Sequence, residues 1–113
     1  MKAPRLTRPL TLEERQQTPD GGGGFVETWV PLGTLWAEVD SRSGRETGRR
    51  QAASVSLTNL RITVRAAPFG DPSRPKPEQR FRDGARIYRI LAVADSDPLA
   101  RYLICYSDEE VAG

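Results

Sequence analysis

Apolar and polar residues alternate along much of this chain, and the period is that of a strand. The clearest case is "VSLTNLRITVRAA", where Leu60, Ile62 and Val64 interleave with Arg61, Thr63 and Arg65. That pattern buries one face of a strand and leaves the other in water. "FVETWVPLGTLWAEVD" is rich in aromatic and β-branched residues, which also favours a strand. Its second half puts Leu35, Ala37 and Val39 on one face and Trp36, Glu38 and Asp40 on the other. Pro31 and Gly33 predict a kink or bulge between two strand pieces. "RFRDGARIYRILAVAD" holds the best hairpin signal, Asp83-Gly84. After it, Ile87, Arg89, Leu91 and Val93 face one side and Tyr88, Ile90 and Ala92 the other, so a central strand is expected. In "LARYLICYSD" the pattern groups Tyr102 and Tyr106 with Ile104 as a core face and sets Cys105 opposite.

The start of the chain is less clear. "LTLEER" fits a short strand or a helical turn, with Pro9 against the helix and Pro19 plus Gly21 to Gly24 ending the element. "PFGDPSRPKPEQ" carries prolines 68, 72, 75 and 77 and reads as an irregular, semi-rigid loop. The one candidate helix lies around Glu46 to Ser54, opposed by Gly48. The sum is an all-β fold of five to six short antiparallel strands, a small β-barrel or sandwich, with a long loop at 41–54. The 113 residues suit a single domain, 1–113, with a strand-rich barrel over about 5–107 and a frayed tail over 108–113.

Composition narrows the chemistry. With no histidine, Ser-His-Asp and Cys-His catalysis and nearly every common zinc site are excluded. A single cysteine, Cys105, rules out an internal disulfide. No acidic spacing matches a calcium loop. No cofactor and no metal are expected. No apolar run approaches the ~20 residues of a membrane span, and Met1 to Leu12 has no continuous apolar stretch of the secretory kind. The four glycines lack the lysine of a phosphate-binding loop and read as a linker. Asp95 and Asp97 flank a turn, and Asp108, Glu109 and Glu110 read as a solvated tail, so no general acid is evident.

Charge is uneven although the net value is only +2. "SRSGRETGRR", Ser41 to Arg50, holds four arginines against Glu46. Arg61 to Arg89 holds seven arginines and Lys76 against three acids, whereas Asp95 onward is acidic but for Arg101. A basic middle and an acidic end fit a nucleic-acid surface, head-to-tail contact between copies, or plain solvated surface. Trp36, on the more polar face of its strand, is the better placed of the two tryptophans for an interface.

Taken in order, "RLTRPLTLEER", a glycine-rich turn, "ETWVPLGTLWAEVD", "SRSGRE", "ITVRAA", "FRDGARIYRILAVAD" and "RYLICYSDE" resemble the phage head–tail joining proteins. These are the head-closure or stopper proteins of long-tailed phages and phage-derived gene transfer agents. The resemblance covers roughly Arg5 to Tyr106. The residues that carry over are Trp36, Ala37, Glu38, Val39, Ser43, Gly44, Arg45 and Glu46, then Asp83, Gly84, Tyr88 and Ile90. It implies a small barrel that assembles as a homo-oligomeric ring, with no enzymatic activity. Adaptor and portal proteins lie above such a ring, the tail terminator lies below, and double-stranded DNA passes through. The ring closes the DNA channel, offers the tail attachment surface, and belongs to a virion or phage-like particle assembled in the host cytoplasm.

The loop after "WAEV" faces the channel in that family. Here the implied channel or gating residues are Ser41, Arg42, Ser43, Gly44, Arg45, Glu46, Arg49 and Arg50. Trp36, Glu38, Asp108, Glu109 and Glu110 are the expected subunit-interface residues, and Asp83 and Gly84 a structural turn. The other expectation is an oligonucleotide-binding barrel for single strands, using the arginines of 61–89 and Tyr88, Tyr102 and Tyr106.

Overall fold

The computed structural model describes residues 3–41 and 57–110. Six strands form there: β1 (Arg8–Pro19), β2 (Phe25–Ser41), β3 (Leu57–Arg65), β4 (Arg80–Asp83), β5 (Arg86–Asp95) and β6 (Tyr102–Glu110). All pairings are antiparallel, and the strand order β1-β2-β3-β6-β5-β4 closes into a barrel. In effect two three-stranded meanders are joined by β1 to β4 and by β3 to β6. Within the barrel wall, closure removes the sheet edges that would otherwise pair with other chains.

The core is filled along hydrogen-bonded rows of the sheet. Ala37, Val64 and Leu103 lie in one row, Leu12, Phe81 and Tyr88 in another, and Val39, Ile62 and Cys105 in a third. Together with Leu10, Leu60 and Ile90 these residues make one apolar cluster. The Leu60, Ile62, Val64 face expected inward is buried, and "LTLEER" is strand rather than helix.

Among the described residues, three bulges adapt the strands to the barrel. Leu12 pairs with Gly33 and Glu13 with Pro31, so Leu32 is the extra residue on β2. This is the irregularity that Pro31 and Gly33 predict. In β3 the register shifts between Leu57 and Leu60, and Asn59 takes φ 66°, a conformation asparagine tolerates better than most. In β5 the shift falls at Leu91. The simple alternation expected for β5 therefore breaks: Tyr88 and Ile90 face the core, then Val93 packs against it, while Leu91 is exposed.

Two expectations fail in β6. Leu103, Cys105 and Ser107 point inward, and Tyr102, Ile104 and Tyr106 stand on the outer face. Both faces carry large apolar groups, so pattern alone could not orient the strand. Nor does a tail begin at Asp108 as expected, because β6 continues to Glu110 and pairs with Ile87, Tyr88 and Arg89 of β5.

Turns follow local chemistry. Asp83 pairs with Arg86 around a two-residue loop in which Gly84 takes φ 64°, as a primed hairpin turn requires. At the β1–β2 turn, Asp20 Oδ1 accepts hydrogen bonds from the Gly22 and Gly24 amides at 2.8 and 3.0 Å. Those bonds hold its carboxyl below the usual carboxylate range. The 68–77 loop has no regular structure. Arg74 spans it, donating to Ala67 O at 2.8 Å and stacking 3.8 Å from the Phe69 ring.

Candidate functional site

Of the implied channel residues, Ser41 ends β2 opposite Leu60. Arg42, Ser43, Gly44, Arg45, Glu46, Arg49 and Arg50 lie outside the described residues, as does the candidate helix at 46–54.

Trp36 stands on the outer face of β2, 56% exposed. Glu38, two residues on, accepts a hydrogen bond from the Arg5 amide at 3.2 Å. Asp83 accepts from Arg8 Nη2 at 2.6 Å, and the same nitrogen donates to the buried Tyr88 hydroxyl at 3.2 Å. The hydrogen bond Arg8 donates to Asp83, with the smaller one it donates to Tyr88, outweighs burial and raises the Arg8 pKa. Asp83 thus ties the start of β1 to the β4–β5 hairpin as well as forming the turn.

The acidic end is engaged within its own chain. Arg89 donates from Nε and Nη2 to the two Asp108 carboxylate oxygens at 3.0 and 2.9 Å. Arg86 does the same to Glu109 at 2.8 and 2.9 Å. These forked contacts are the strong form of an ion pair. Arg86, by its hydrogen bonds first, holds the Glu109 carboxyl below its ordinary range, and both arginines are raised. The basic middle does meet the acidic end, but across the β5–β6 seam of one copy. Glu110 is exposed.

A second cluster had no sequence signal. Glu13 is 6% exposed, accepting from Arg80 Nε at 2.6 Å and Arg82 Nε at 3.0 Å. Burial pushes its carboxyl up, yet the two arginines outweigh that and leave it lowered. Arg80 also stacks 4.0 Å from the Trp29 ring. Nearly seventy residues separate these partners, and only barrel closure brings them together. The cluster braces the root of a β1–β2 ribbon that runs on past the barrel wall: Glu14 to Pro19 pairs only with Phe25 to Val30.

The outer face of β2, β3 and β6 carries a cleft of about 490 Å³ lined by Arg5, Glu38, Arg61, Arg101, Tyr102 and Ile104, among others. Asp97 also lines it. Burial pushes the Asp97 carboxyl up, but Arg101 bonds to it through its amide and Nε, both at 3.0 Å, and leaves it lowered. Ile104 is buried here although it faces outward.

The residues needed for single-strand stacking are not available together. Tyr88 is fully buried in the core, and Arg80, Arg82, Arg86 and Arg89 are committed to carboxylates. Nor does Cys105 offer a nucleophile: burial pushes its thiol up to about 12, and the thiolate is the reactive form.

Comparison with known proteins places this geometry. No curated protein matches the chain. Among solved structures, a chain from the virion of a native gene transfer agent particle is 44% identical, with TM-score 0.72, covering 98% of this chain and 100% of that one. A protein of Shigella flexneri 2a solved in solution shares the fold at 24% identity and TM-score 0.71, covering 100% of both chains. Residues 1–110 match the phage head completion proteins, and the chain belongs to that family.

Proposed function

We propose that this protein is a non-enzymatic structural component of a virion or phage-like particle. It forms a ring between the portal–adaptor assembly and the tail, closes the DNA channel after packaging, and provides the surface to which the tail attaches. The observation that carries this reading is the end-to-end, 44% identical match to a chain of a gene transfer agent virion, within a family named for head completion. A closed barrel with a buried thiol and ion-paired carboxylates supports a scaffold role rather than catalysis.

Deleting the gene in the producing host tests this. The expected result is filled heads that lose DNA and carry no tails, seen by electron microscopy and by nuclease-protected DNA content. Tailed, DNA-retaining particles at wild-type frequency would overturn the reading. The channel-facing role of the 41–54 loop rests on the family resemblance. Arg45→Ala, Arg49→Ala and Arg50→Ala together are expected to leave the barrel folded and to yield leaking or tailless particles; normal retention and tail joining would remove that role.

A further inference from the structure

The backbone pairing of β1 with β4 stops at Glu13 and Arg80, but its register does not. Thr11 faces Arg82, Leu12 faces Phe81 and Glu13 faces Arg80. One step on, Gln79 donates from Nε2 to Glu14 Oε1 at 3.3 Å. One step further, Arg15 Nη2 lies 3.7 Å from Glu78 Oε1. Side chains therefore carry the ladder past the point where the strands part. The backbone of that segment turns to β5 instead: the Glu78 amide donates to Ile90 O at 3.2 Å, and the Ile90 amide to Gln79 O at 3.0 Å.

The two ends of this side-chain ladder differ in strength. At the inner end Arg80 grips Glu13 on β1 and the Trp29 ring on β2 together, and the Glu13–Arg80 pair is largely out of water. At the outer end the Arg15 and Glu78 side chains are 44% and 78% exposed. An exposed pair is weak and is screened by salt. Arg15 is also shared with Glu27, at 3.3 Å. Glu78 holds φ 82°, a left-handed conformation that strains any residue with a Cβ. A cavity of about 180 Å³ lies between Glu14 and Arg15 on one side and residues 76–79 on the other, so close packing does not fix the ribbon there.

We propose that the β1–β2 ribbon is a hinged lever. Its pivot is the Glu13–Arg80–Trp29 cluster beside the Leu32 bulge, and its latch is the exposed Arg15–Glu78 pair. Opening the latch lets the ribbon swing away from the 76–79 segment while the buried pivot keeps its root on the barrel. The strained Glu78 backbone and the space beneath the contact both favour release. This device belongs to the chain itself and does not rest on the ring reading.

Spin labels on Gln17→Cys in the ribbon and Ala85→Cys in the β4–β5 turn read the ribbon's angle by pulsed dipolar spectroscopy; Cys105, the sole native thiol, is buried. At low salt one narrow distance distribution is expected. In about 1 M salt, where screening acts over about 3 Å, its width is expected to at least double. Glu78→Gly removes the latch and accepts the positive φ. It is expected to give the broad distribution at low salt without lowering the melting temperature. A distribution already broad in the labelled chain at low salt, or one that stays narrow in high salt or in Glu78→Gly, overturns the inference. So does a broadening in Glu78→Gly that comes with a lowered melting temperature, which makes the contact part of the fold's stability rather than a latch.

Discussion

Glu13 shows how one carboxylate can decide local geometry. It sits at the Leu32 bulge, where the ribbon leaves the barrel, and two guanidiniums converge on it. With side chains only 8% and 12% exposed, the Glu13–Arg80 pair is close to fully desolvated. Removing one partner of such a pair leaves the other charge unsatisfied, which is worse than lacking both. Glu13→Gln is expected to cost about 3 kcal/mol, read by urea denaturation at neutral pH. The sign with pH follows from the lowered carboxyl. Its stabilisation is fully present above the unfolded-state value of about 4.3 and is lost as pH falls through the lower folded value. The gap between wild type and Glu13→Gln is therefore expected to narrow only below about pH 4. A gap constant from pH 7 to 3 would show that the charge is not what matters.

The bulges are the elements' own solution to closure. Asn59 holds φ 66° in β3, where a β-branched residue is strained. Asn59→Val is expected to lose about 1–2 kcal/mol and Asn59→Gly to be close to neutral, by thermal denaturation; equal effects would remove the backbone explanation. Such bulges also mark the limit of what pattern reveals. Leu60, Ile62 and Val64 were readable because arginines and a threonine separate them. The Pro31–Gly33 irregularity was readable because those residues resist regular pairing. The inward face of β6 was not, because Leu103 and Cys105 compete with Ile104 and the tyrosines as equally apolar sets. Nor was the Leu91 shift, since Ala92 and Val93 are both plausible core residues. The Glu13 cluster depends on strands far apart in sequence, and no local spacing encodes it.

At the scale of the whole molecule, charge asymmetry along the chain becomes charge pairing across a seam. Arg86 and Arg89 on β5 meet Glu109 and Asp108 on β6, where the carboxylates are only 14% and 12% exposed. These acids brace the barrel wall, whereas Glu110 is exposed at the end of β6 and makes no ion pair among the described residues. Reversing charge at the two positions therefore acts first on folding. Ion pairs with one partner in solvent, as both arginines are here, are worth up to about 1 kcal/mol each, and forked geometry places these near the top of that range. Asp108→Lys with Glu109→Lys adds repulsion against the arginines, so a loss of about 2 kcal/mol is expected, or roughly 8 °C in melting temperature. Glu110→Lys is expected to leave the melting temperature within about 1 °C, as surface changes usually do. Should the double variant melt like wild type and yet fail to enter particles, the two acids would belong to the interface between copies after all. A lowered melting temperature for the double variant alone assigns them to the barrel.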